Sequence, residues 1–94
     1  MKKDIERYFY ITNFPLAIYL YAKNQQVVNV YPLGNGQKEF VFLRSPRLEE
    51  LEDKYKFGNK DDEDLFIQVH IYEQARRELL NLLKDNRLNS EIIN

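Results

Sequence analysis

The stretch 62-DEDLFIQVHIYEQARRELLNLLKDN-86 is the longest uninterrupted helical pattern in the chain, and no Gly or Pro breaks it. At about 100° per residue, Leu65, Val69, Tyr72, Leu79, Leu80 and Leu83 fall on one arc, with Phe66 and Ala75 on its flanks. The carboxylates of residues 61–64 precede this arc, and Lys84 and Arg87 lie near its other end. That charge order suits the helix dipole. The pattern predicts a helix about 36 Å long at 1.5 Å per residue, against which the rest of the chain packs.

Working outward, residues 59–61 form a polar loop, and Gly58 ends a preceding helix. That helix starts at Ser45-Pro46, a cap followed by proline at the first helical position, and Leu48, Leu51 and Tyr55 give its inner face. Further back, residues 39–43 and 27–33 read as strands, joined through Gly34-Asn35-Gly36, where Asn-Gly supplies the positive φ angles of a tight hairpin. Residues 8–12, aromatic and β-branched, read as another strand. Asn13 caps a short helix with Pro15 in its first turn, running to about Lys23 with Leu16, Ala17 and Leu20 facing inward. Residues 88–94 read as a frayed tail, and residues 1–6 as a second flexible end of a single domain spanning 1–94.

The expected fold is α+β, in the order β-α-β-β-α-α. Phe40-Val41-Phe42-Leu43 is apolar on both faces, so the third strand is placed at the centre of a three-stranded sheet, antiparallel to both neighbours. Helices cover one face, toward which Phe9, Ile11, Val28, Val30, Phe40 and Phe42 point. Tyr8, Tyr10, Val27, Tyr31, Val41 and Leu43 take the other.

Composition narrows the function. Of the 94 residues, 44% are hydrophobic and 14% aromatic, with three Gly and three Pro, which describes a folded chain. The absence of Cys excludes disulfides and thiolate chemistry and fits a reducing cytoplasm. No signal peptide and no membrane span is expected, and the net charge of −1 gives no global attraction to nucleic acid.

The run Tyr10-Ile11-Thr12-Asn13-Phe14-Pro15-Leu16-Ala17-Ile18-Tyr19-Leu20, then Phe40-Val41-Phe42, then Leu48-Glu49-Glu50-Leu51 with Tyr55 resembles a domain family of unknown function found in bacteria and their phages. Thr12-Asn13 stands in for a Thr-Asp turn, and Tyr72, Ala75 and Leu79 fit the closing helix, so the resemblance covers residues 8–83. Pro15 departs from the family pattern. The resemblance implies a phage or mobile-element setting and no chemistry.

No catalytic set is legible. Ser45 reads as a cap, Ser90 lies in the tail, and His70 is a lone boundary histidine. Residues 61–64 lack the alternating ligands and glycine of a calcium loop, and Gly34-Asn35-Gly36 is flanked by strands rather than by a phosphate-binding helix. The expectation is a non-enzymatic protein without metal, cofactor or membrane contact.

A binding surface is the remaining possibility, formed by Tyr8, Tyr10, Tyr31, Val41 and Leu43 on the outer sheet face, or by Ile67, Ile71 and Leu82 beside the helical stripe. Protein–protein contact is preferred, with self-association ahead of docking on another protein. The alternative is a single-stranded nucleic-acid or DNA-binding accessory protein that stacks bases on the tyrosines, helped by Lys2, Lys3, Arg7, Lys38 and Arg44. Arg76 falls near the centre of the helical stripe. It either reaches water along its stem, pairing with Glu73 or Glu52, or lies in a cleft and contacts an anion.

Overall fold

The computed structural model describes residues 4–85, with the side chains of 83–85 outside that description. Residues 1–3 of the expected flexible end 1–6, and all of the expected end 88–94, lie outside the described residues, as do Lys2, Lys3, Arg87 and Ser90.

The elements are β1 (Tyr8–Ile11), α1 (Phe14–Ala22), β2 (Val27–Pro32), β3 (Lys38–Leu43), α2 (Pro46–Phe57) and α3 (Val69–Asp85), with a 3-10 turn at Glu63–Leu65. The fold is α+β, and the three-stranded sheet runs β1-β3-β2 with β3 antiparallel to both neighbours.

Local chemistry sets the boundaries. Asn13 accepts a hydrogen bond from the Leu16 amide through Oδ1, and Ser45 accepts one from the Leu48 amide through Oγ, so both helix starts are capped, with proline in the first turn. Gly58 caps the end of α2 in extended backbone with its amide bonded to the Lys54 carbonyl, and glycine is needed there because a Cβ would meet that oxygen at 2.5 Å. Between β2 and β3 only Gly36 takes a positive φ, and the Gly36 amide bonds to the Leu33 carbonyl. Asn35 instead accepts from the Gln37 amide through its side chain, so the hairpin closes as a turn ended by a left-handed glycine, not as an Asn-Gly turn with both residues at positive φ.

The helix expected from residue 62 starts seven residues later. A continuous helix would use the carbonyls of Asp64 and Phe66 to accept from amides four residues on. Here the Tyr19 hydroxyl donates to the Asp64 carbonyl (2.8 Å) and the Lys23 ammonium to that of Phe66 (3.4 Å). Asp62 caps the 3-10 turn by accepting from the Asp64 amide. Residues 66–68 consequently run without regular structure, and α3 has 17 residues, about 26 Å.

The core forms around α1 rather than around α3. Leu16, Ala17, Ile18, Tyr19 and Leu20 are all buried, because α1 is enclosed by β1, α2 and α3. Ile11, Val30, Phe40, Phe42, Leu48, Leu51, Ala75 and Leu79 complete the cluster. On α3 the inward line is Tyr72, Ala75, Leu79 and Leu82. Val69 is 78% exposed and Arg76 is exposed, so the buried stripe is rotated away from the arc expected on the sequence.

Candidate functional site

The outer face of the sheet is built by strand alternation. Tyr8 pairs with Leu43 and Tyr10 with Val41 across β1 and β3, and Asn29 pairs with Val41 and Tyr31 with Glu39 across β3 and β2. A central row Tyr10, Val41, Asn29 therefore crosses all three strands. Val41 and Asn29 are buried, Tyr8 and Tyr10 half-buried, and Tyr31 and Leu43 exposed. Each helix that contacts a strand lies on the other face, with the core cluster.

One expectation for this face is corrected. The register shifts between Val27 and Asn29, so Val27 pairs with Phe42 and packs into the core, while Val28 is the extra residue and lines the outer pocket. The sequence reading gave these two valines opposite assignments because a bulge reverses the alternation before it. The bulge precedes Asn29, which sequence reasoning missed. Its signal was an asparagine inside an otherwise apolar strand, a residue type depleted there.

Asn29 is 2% exposed. Its Oδ1 accepts from the Val30 amide at 2.8 Å. Because that amide is a donor, oxygen must occupy this position, which fixes the orientation of the carboxamide. Nδ2 is left with no hydrogen-bond partner. An unsatisfied buried donor costs about 1–3 kcal/mol, which makes it a feature that requires an explanation. Asn29 lines a cavity of about 230 Å³ with Tyr8, Tyr10, Val28, Tyr31 and Val41.

Of the basic residues expected beside this face, the three described ones, Arg7, Lys38 and Arg44, are directed elsewhere. Arg7 faces Asp4 (3.8 Å), and Arg44 lies over the Phe9 ring (5.2 Å), donates to the Ile5 carbonyl and faces Glu49. Lys38 lines a different pocket with Thr12, Phe14 and Phe40.

The other expected surface residues do not form one face. Ile67 and Leu82 pack against the core, while Ile71, 39% exposed, lines a shallow cleft with Tyr21, Ala22 and Glu78. Arg76 stands on the solvent side of α3 rather than within the buried stripe. His70 is likewise exposed.

Two further clusters are structural in their chemistry. Arg47 grips both carboxylate oxygens of Asp64 (2.8 and 3.2 Å) and Lys54 adds a contact at 2.6 Å. Hydrogen bonds from Arg47, then Lys54, hold the Asp64 carboxyl well below the usual carboxylate range. This grip pins the 3-10 turn to α2. Above it lies an apolar cavity of about 360 Å³ where Tyr19 meets Tyr55 at 5.2 Å between ring centres. Burial raises the pKa of both hydroxyls, so neither is a proton acceptor near neutrality. Among the described residues no group of three or more His, Asp or Glu is arranged to hold a metal ion, and no helix is long and apolar enough to cross a membrane.

Residues 6–85 match the family model described as Domain of unknown function (DUF5659), and the chain belongs to that family. No curated protein and no solved structure matches the chain.

Proposed function

We propose that this chain is a non-catalytic interaction domain that works through protein–protein contacts made by the outer face of its sheet. The observation that carries the reading is the row Tyr10, Val41, Asn29, flanked by Tyr8, Tyr31 and Leu43, on the face away from the helices. Side chains of this type, apolar and aromatic around one buried polar group, resemble the core of a protein interface more than a solvated surface. The sequence resemblance to a domain of bacteria and their phages supports a phage or mobile-element setting, and the lack of cysteine suits a cytoplasmic one.

Of the two partners considered, a short segment of another protein is favoured over a second copy. Three strands about 4.8 Å apart and about five residues long present roughly 14 by 17 Å. That is about 240 Å² in projection, and even twice as much is short of the roughly 800 Å² per partner of a stable interface between globular bodies. Nucleic acid is disfavoured because Arg7, Lys38 and Arg44 are turned away or paired.

The test is capture of cross-linked partners from the native host with wild-type protein, Leu43→Glu and Arg76→Met. The proposal expects partners that are lost with Leu43→Glu and retained with Arg76→Met. Loss with Arg76→Met and retention with Leu43→Glu would move the working surface to α3.

A further inference from the structure

The helical layer of the fold holds a cavity that the sheet-face contact does not use. Its walls come from α1 (Tyr19), α2 (Tyr55), the 3-10 turn (Leu65), Ile67 and the start of α3 (Val69, Tyr72). Packed interiors hold few voids larger than a water molecule. This one, at about 360 Å³, equals the liquid share of roughly a dozen waters and falls in the size range of small-molecule sites. Its outer wall is held in place and does not collapse inward, because the Tyr19 hydroxyl fixes the Asp64 carbonyl, Lys23 that of Phe66, and Arg47 and Lys54 the Asp64 carboxylate. The cavity is also open to entry, since Tyr55 and Val69 are exposed and Leu65, Ile67 and Tyr72 are half-buried.

The lining selects the chemistry of an occupant. None of the six lining side chains is charged. The ions that act on Tyr19, namely Asp64, Arg47, Lys54 and Asp62, are bonded among themselves. A charged occupant would therefore lose hydration without gaining a counter-charge. Three tyrosine rings line the cavity, two of them 5.2 Å apart and tilted by 44°, and they favour a flat ring that gains edge and face contacts. The Tyr19 hydroxyl is committed to Asp64, which leaves those of Tyr55 and Tyr72 as the polar groups of the lining. Burial keeps Tyr55 protonated at neutral pH, so it is able to donate as well as accept. A partner's leucine or phenylalanine side chain would leave both hydroxyls unanswered, whereas a free phenol or indole answers one.

We infer that the cavity walled by Tyr19, Tyr55 and Tyr72 is a site for a small neutral aromatic molecule of about ten non-hydrogen atoms, of the phenol or indole type, whose polar group meets the hydroxyls of Tyr55 and Tyr72. The site goes beyond the proposed protein contact and stands or falls independently of the sheet face.

The experiment is a titration of the ¹⁵N- and methyl-¹³C-labelled full chain with 2-naphthol, and separately with 2-naphthoate and with N-acetylphenylalaninamide. The expected result is a set of saturable shifts with 2-naphthol below about 1 mM, largest at Leu65, Ile67, Val69 and Tyr72 and absent at Val28 and Val41 on the sheet face. 2-Naphthoate, the same ring system with a charge, binds about tenfold more weakly or worse. Tyr55→Phe keeps the ring and weakens 2-naphthol binding by about fivefold. Val69→Trp, a change at an exposed position, fills the opening and removes saturation with the fold intact. No saturation at millimolar 2-naphthol, equal shifts on the sheet face, equal affinity for 2-naphthoate, or binding unchanged by both substitutions would overturn the inference. Saturation by N-acetylphenylalaninamide but not by 2-naphthol would also overturn it and make the cavity a socket for a partner's side chain.

Discussion

Tyr21 on α1 donates a 2.6 Å hydrogen bond to Glu78 on α3, and Gln74 donates to the same carboxylate at 3.0 Å. The bond to Glu78, with burial second, pushes the Tyr21 hydroxyl up to about 12, and the bonds from Tyr21, then Gln74, lower the pKa of Glu78. Tyr21 is protonated in the bonded form, so its contribution is complete below the unfolded value of about 10 and is lost as pH rises through about 12. Glu78 contributes above its ordinary value of 4.5, and that part is lost as pH falls through the lowered one. Tyr21→Phe should cost about 1 kcal/mol in urea unfolding at pH 7, with the deficit shrinking above pH ~10 and below pH ~4. A deficit constant across that range would instead assign the loss to packing. This pair was invisible in the sequence, because its partners lie 57 positions apart. Asn29 was legible in principle, as a polar residue in an apolar strand, but its burial depends on a one-residue bulge that no periodicity announces. Arg76 was misplaced for a related reason. Including Val69 in the apolar arc rotated the expected inner face of α3 toward it, whereas Tyr72, Ala75, Leu79 and Leu82 form the observed one.

Among the elements, those with local causes were readable. Asn13-Phe14-Pro15 and Ser45-Pro46-Arg47 begin helices because a side-chain oxygen and a proline act within four residues of each other, and Gly58 ends one through a contact with Lys54. The central place of β3 was readable too, because Phe40 and Phe42 face the core while Val41 is buried on the other side. The segment from Asp62 to Gln68 was not. Its helical periodicity is overridden by Tyr19 and Lys23, which take the carbonyls that a helix would use, and by Arg47 and Lys54 holding Asp64. Tyr19→Phe should therefore act on this segment first. We expect a loss of about 1–2 kcal/mol, since the Asp64 carbonyl loses its donor, and faster amide hydrogen exchange at Leu65 and Phe66 than in α1 or β3. Uniformly faster exchange across the whole chain would show that the turn and the core open together.

At the scale of the whole molecule, α1 is enclosed by strand and helix neighbours, so the helices are committed to one face of the sheet and the other carries the aromatic row. This asymmetry sets Phe40 and Phe42 in the core with Tyr19, and Tyr8, Tyr10 and Tyr31 around Asn29 on the other face. On the proposed function, this face takes a segment of a different protein and is too small to hold a second copy. Sedimentation equilibrium of the purified chain at about 100 μM, well above typical dissociation constants of stable dimers, tests it most directly. A single species of 11.4 kDa whose mass does not change with concentration is expected. A mass near twice that value, reverting to the monomer on Leu43→Glu, would contradict it and make the sheet face a self-association surface.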